Sequence, residues 1–235
     1  MLKGFALKPP FFEIGPKSYL FGDEVLELAL AADAAAKKYD VDIIFTTPVV
    51  DIRRVAEATE RIFVFAPHMD PIRPGRGLAD TLPESLAAAG AKGVMLNHCE
   101  KPLSLTALAQ TIRRADEVGL ATIVCTDTTA ESAAVAELRP NIIVAEPTEL
   151  IGTGKTSDLD YVKAAIQAVK RIDPEILVLQ GAGISCGEDV YRVIHAGAEA
   201  TGSSSGVVKA KDRAAMVDEM IGEVRRAWDD RLAGR

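Results

Sequence analysis

The chain has 235 residues, of which 48% are apolar, 26% charged and only 5% aromatic, enough apolar material for a sizeable core and too much for a disordered chain. Its net charge of −7 and pI of 5.1 exclude a generally basic surface for nucleic acid, while leaving room for a locally positive pocket that takes an anionic substrate.

Short apolar runs alternate with longer helix-forming ones. The predicted strands are 11–17 (FFEIGPK), 42–48, 62–68, 93–99, 121–127, 141–147 and 175–182, rich in Ile, Val and Phe and mostly apolar on both faces. An eighth, 198–203 (AEATGS), is weak and is placed by its position in the alternation. The predicted helices are 23–38, with Asp23 as its cap, then 51–59, 83–89, 104–118, 129–137, 158–171, 187–195 and 210–231. Gly90 and Gly119 stand where helices should stop. Eight strand–helix pairs imply parallel strands with right-handed crossovers, and eight is the number that closes a barrel. A doubly wound open sheet is the rival, but strand one leads into GPKSY rather than a G-x-G-x-x-G turn. No linker or composition break divides the chain, so a single α/β (β/α)8-barrel domain over 1–235 is expected.

Cys99, Cys125 and Cys186 are odd in number and far apart, which argues against a disulfide framework or zinc site. Cys99 and Cys125 read as buried fillers. The N-terminal segment lacks the pattern of a signal peptide and no apolar run reaches membrane-spanning length, so a cytoplasmic protein with no membrane or nucleic-acid partner is expected.

In a barrel, chemistry belongs at the C-terminal ends of the strands. Those positions hold Lys17, Pro48, His68, Asn97-His98-Cys99-Glu100, Asp127, Glu146, Gly181-Ala182-Gly183 and Ser203-Ser204-Ser205. The run 146–156 (EPTELIGTGKT) reads either as a loop with a helix cap or as a carboxylate base beside a phosphate-gripping lid. In the second reading Gly152 and Gly154 bring backbone N–H groups close to an anion. A Walker A loop is excluded because Glu149 occupies its first glycine position. The turns GAGIS (181–185) and GSSSGVVK (202–209) follow strands seven and eight, where barrels bind phosphate. Three donor-rich loops point to a phosphorylated substrate. His98, Glu146 and Lys17 at strand ends favour proton transfer over a structural histidine. His68 with Asp70 is the only further metal-ligand candidate, too small a set for a site.

The strings GPKSY, PHMDPIRPG, NHCE, EPTELIGTGKTSD, GAGISCGEDV and SGVVKAKD resemble the triosephosphate isomerase family, in particular its short archaeal form, over about residues 11–215. The resemblance implies a cofactor-free aldose–ketose isomerase working through a cis-enediolate, with glyceraldehyde 3-phosphate and dihydroxyacetone phosphate as the simplest pair. It makes Lys17 the active-site lysine, His98 the electrophile, Glu146 the base and Glu100 the ion-pair partner of Lys17. It assigns the phosphate to Gly152, Gly183, Ser204 and Ser205, and it implies a homodimer or homotetramer. Three departures stand out. The family's Asn-x-Lys reads Gly15-Pro16-Lys17 here, its loop-three Thr-Gly pair reads Leu78-Ala79, and strand eight has become ATGSSS. A paralogue acting on a longer substrate such as a tetrulose 4-phosphate, and a non-catalytic phosphometabolite-binding protein, are the alternatives.

Overall fold

The computed structural model describes residues 1–151, 153 and 158–235. Its eight strands are β1 (Phe11–Ile14), β2 (Asp42–Thr46), β3 (Phe63–Ala66), β4 (Gly93–Leu96), β5 (Ala121–Thr126), β6 (Ile142–Ala145), β7 (Leu177–Gln180) and β8 (Ala200–Ser203). They pair in parallel in chain order, and β8 returns to β1 in the register Phe11↔Ala200 and Ile14↔Ser203, closing the barrel. The expected α/β barrel is therefore the fold, and the weak eighth strand is real. Residue 202 of that strand must be small, because a Cβ there would stand 2.8 Å from the Glu13 carbonyl oxygen.

Period-two alternation sorts the strand residues between two cores. Phe11, Ile44, Phe65, Ile123, Ile142 and Leu179 pack inside the barrel. Phe12, Ile14, Ile43 and Phe45 point outward under the helices. Both faces being covered, the strands read as continuous apolar runs, and each fully buried Phe or Ile contributes roughly 1.5–3 kcal/mol of transfer free energy. Gly93 opens β4 because the barrel wall is tight there, and a Cβ would lie 2.3 Å from Phe65 Cζ and 2.6 Å from the Ala121 carbonyl oxygen.

The outer ring comprises α1 (Asp23–Tyr39), α2 (Ile52–Ala58), α3 (Pro83–Ala88), α4 (Leu105–Val118), α5 (Thr129–Ala136), α6 (Leu159–Lys170), α7 (Gly187–His195) and α9 (Arg213–Leu232), with the one-turn α8 (Ser205–Val208) after β8. Ser104, Asp158 and Asp212 cap α4, α6 and α9 through their side chains, and Thr128 with Glu131 forms a reciprocal capping box on α5. Gly119 ends α4 in the left-handed conformation at φ 76°. Asp23 is not a cap: Gly22 precedes the helix without a side-chain hydrogen bond, and Asp23 is the first helical residue, its charge facing the helix N-terminus.

Most strands are shorter than the apolar runs that announce them. Strand β1 stops at Ile14, since Pro16 has no N–H for the ladder and Lys17 adopts φ 50°. Strand β4 stops at Leu96, which leaves residues 97–104 as a loop. That loop carries Cys99 to an exposed position, so Cys99 is not a buried filler, whereas Cys125, inside β5, is buried. No helix among the described residues is long and apolar enough to cross a membrane.

Candidate active site

The C-terminal ends of the strands open into one cavity of about 550 Å³. Of the eight residues singled out in the sequence, Lys17, His98, Glu100, Glu146, Gly183, Ser204 and Ser205 all line it. Gly152 lies outside the described residues, as do Gly154 and the rest of 154–157. The neighbouring Thr148–Leu150 forms a 3₁₀ turn, pinned where the Thr148 N–H donates to Asp127 Oδ1 at 2.6 Å.

Lys17 reaches from the end of β1 to the β4–α4 loop, where its Nζ donates to Glu100 Oε1 at 2.8 Å. Burial disfavours its charge, but the hydrogen bond and charge of Glu100, with Glu146 further off, outweigh that and hold its pKa above the ordinary lysine value. Glu100 in turn titrates below its usual range because of Lys17. The pair leaves a fixed ammonium at the pocket wall at neutral pH.

His98 is held by its neighbours. Asn97, at φ 58°, donates through Nδ2 to the Cys125 carbonyl at 3.0 Å, and its Oδ1 accepts the Leu103 N–H at 2.9 Å. These bonds tie the start of the loop to β5 and fold its far end back onto Asn97. The Glu100 backbone N–H donates to His98 Nδ1 at 3.1 Å, so the proton of the neutral ring resides on Nε2. Burial and then the Lys17 charge push the His98 pKa below 6.5, with Glu100 opposing, so the ring is neutral at pH 7.

Glu146 follows β6, its own N–H held by the Thr126 carbonyl at 2.9 Å. Its carboxylate lies against Gly181, where a Cβ would come within 3.0 Å of its Cβ and Cδ. The Ala182 N–H donates to Oε1 at 3.0 Å. Burial raises the Glu146 pKa; the Ala182 bond and Lys17 only partly reverse this, and Glu100 adds to the rise. A carboxylate destabilised by burial and held by one N–H is a stronger base than one in water.

The β7–α7 loop and α8 make a concave amide surface. Ala182 and Gly183 both take positive φ, 68° and 75°, and of their two N–H groups that of Ala182 is held by Glu146. The N–H groups of Gly183, Ser204 and Ser205 donate to no acceptor among the described residues. Ser204 Oγ donates to the Gly15 carbonyl at 2.5 Å and Ser203 Oγ to the Ile184 carbonyl at 2.8 Å, fixing the turn that presents them. Gly206 lets this turn approach the β7–α7 loop, since a Cβ would meet the Ile184 carbonyl at 2.7 Å. Unpaired amides beside a lysine suit an anion.

The sequence reading missed Glu13. It lies on β1 with the inward parity of Phe11, and its carboxyl lines the cavity beside Gly15 and Gly202. The signal was available: counting back by two from Lys17 passes through residues 15, 13 and 11 on one strand face. Glu13 Oε1 is buried without a hydrogen-bond partner, and so is the nearby Thr46 Oγ1 of β2. His68, also in the wall, pairs through Nε2 with Asp70 Oδ1 at 3.3 Å. Asp70 spends its other oxygen on the Thr81 N–H at 2.7 Å. No group of three or more His, Cys, Asp or Glu among the described residues is arranged to hold a metal ion.

A sequence model of the family described as triosephosphate isomerase matches residues 17–220. The chain is 35% identical over 229 residues to the triosephosphate isomerase of Sulfolobus acidocaldarius, covering 96% of this chain and 99% of that one. It is 37% identical to the Methanothermus fervidus enzyme of the same name over 86% of this chain and 92% of that one. Against that of Methanocaldococcus jannaschii the identity is 39%, over 85% and 92%.

Proposed function

The chain belongs to the triosephosphate isomerase family and is an isomerase of that type, and from this premise we propose that it interconverts glyceraldehyde 3-phosphate and dihydroxyacetone phosphate through a cis-enediolate. Glu146 removes a proton from the carbon next to the carbonyl and returns it to the neighbouring carbon. His98 Nε2–H hydrogen-bonds the substrate oxygens, and Lys17 offsets both the phosphate and the developing oxyanion. The amides of Gly183, Ser204 and Ser205, with Gly152, take the phosphate. Use of a neutral histidine as electrophile is already known for this family and is taken over from it. The 147–156 segment serves as the lid that shields the enediolate from water.

The single observation that carries this reading is the Glu100 N–H bond to His98 Nδ1. It places the imidazole proton on the nitrogen free to serve the substrate, in a pocket that also holds a buried carboxylate and a fixed ammonium. The reading is tested by Glu146→Gln, for which kcat should fall by roughly 10²–10⁴-fold. Binding of a phosphorylated enediolate mimic should persist. Turnover equal to that of the parent chain would refute Glu146 as the base.

Assembly into a homodimer or homotetramer in the cytoplasm completes the proposal. Leu78 is fully exposed at the tip of the β3–α3 loop, and Val50 is nearly so. Association would take both apolar side chains out of water, while a fold of the Leu78 loop against its own barrel is the alternative.

A further inference from the structure

Glu13 is half-buried on the inward face of β1, with its Oε1 shielded from solvent, and the steps above find no use for it. Two glycines make its place. A Cβ at residue 15 would stand 3.1 Å from Oε1, and one at residue 202 would stand 3.2 Å from Oε2 and 3.0 Å from the Glu13 Cβ. The carboxyl thus fills the volume that any side chain at residue 15 would need. It sits within a cavity that also contains Lys17, His98 and Glu146. Oε1 has no hydrogen-bond partner in the protein. A barrel has little reason to keep a carboxyl with a buried, unpaired oxygen on its inward face for stability, because such a group costs free energy that an apolar residue would not.

Resting on the isomerase reading, we propose that Glu13 contacts the substrate, its neutral carboxyl donating a hydrogen bond to the sugar oxygen that gains negative charge during isomerisation. The surroundings favour the neutral acid. Glu146 faces it from the end of β6, Lys17 from the loop after β1, His98 from the loop after β4 and the Cys125 thiol from β5. Thr46 of β2, Leu179 of β7 and Gly202 of β8 add no charge. Burial lifts its pKa from 4.5 to about 7; the nearby Thr46 hydroxyl, too poorly aligned with Oε1 to satisfy it, and Lys17 oppose the rise, and Glu146 adds to it. An ionised Glu13 would repel the enediolate oxyanion, whereas the acid stabilises it.

The test is kcat/KM against pH from 5 to 9 with glyceraldehyde 3-phosphate, for the parent chain, Glu13→Gln and Glu13→Ala. In the parent chain activity should fall as pH rises through about 7, where Glu13 loses its proton. Glu13→Gln keeps a donor that does not titrate, so that limb should vanish while kcat at pH 6 stays within about tenfold of the parent. Glu13→Ala should lose roughly 10²–10³-fold in kcat, with a smaller change in KM. A limb near pH 7 that persists in Glu13→Gln, a folded but inactive Glu13→Gln, or a fully active Glu13→Ala would each overturn the role. A parent chain that turns over no sugar phosphate and binds no enediolate mimic refutes the isomerase reading instead.

Discussion

Glu13→Gln should stabilise the protein, and by an amount that depends on pH. The folded-state pKa of Glu13 is raised from 4.5 to about 7, so the native state prefers the protonated acid. Below pH 4.5 both folded and unfolded chains hold that proton and the group is neutral in its effect. As pH rises the unfolded chain ionises first, and the folded protein is progressively destabilised until its own carboxyl ionises. With these two values, linkage gives a deficit of about 1 kcal/mol at pH 5, about 2 at pH 6 and about 3 at pH 8. Gln has the shape of the neutral acid and no titration, so the variant should recover that deficit. Urea denaturation of both proteins at these pH values measures it directly. At pH 8 the difference corresponds to roughly 7 °C in Tm for a chain of this length. A stability difference that is flat from pH 5 to 8, or a variant destabilised throughout, would refute the reasoning.

Other perturbations test how the site is held. Asn97→Ala removes both bonds that fix the His98 loop and should cost about 1–3 kcal/mol of stability. Its kcat should fall further than the stability loss explains, which parallel kinetics and denaturation on one sample will show. Gly181→Ala puts a Cβ within 3.0 Å of the Glu146 side chain and should reduce kcat by about 10²-fold while inhibitor affinity changes little, as read by calorimetry. Thr128→Ala breaks the capping box of α5 and should lower stability by about 1 kcal/mol, as read by urea denaturation. Light scattering after size exclusion should show an oligomer, and Leu78→Asp should shift it toward monomer; an active monomeric parent chain would dismiss that assembly.

Much of the architecture was legible along the chain because the barrel's signals are local. Buried parallel strands must be apolar on both faces, and helices carry their own caps and stops, so 93–99 and 121–127 announced β4 and β5 without knowledge of their neighbours. The site was legible for a related reason: a strand that ends in a polar residue must point it at the barrel mouth, as with His98 and Glu146. The strand ends themselves were read too long. The strands read as 11–17 and 93–99 stop at Ile14 and Leu96, and only hydrogen bonding to adjacent strands decides where the ladder stops.

The sequence by itself thus determined eight β/α units, a family, and the residue types at the strand ends. Tertiary structure alone decided what Glu13 is. On the chain it is one acid between two apolar residues; period two puts it on the inward face, but nothing local tells how deeply it is buried or what charge faces it. Its character comes from Gly15 two residues away, Gly202 across the β1–β8 seam, and Thr46 and Glu146 from β2 and the end of β6. Closure of the barrel removes water from the carboxyl and brings another carboxylate near it. Burial and charge at a distance depend on residues nearly 190 positions apart, and no window along the chain contains them.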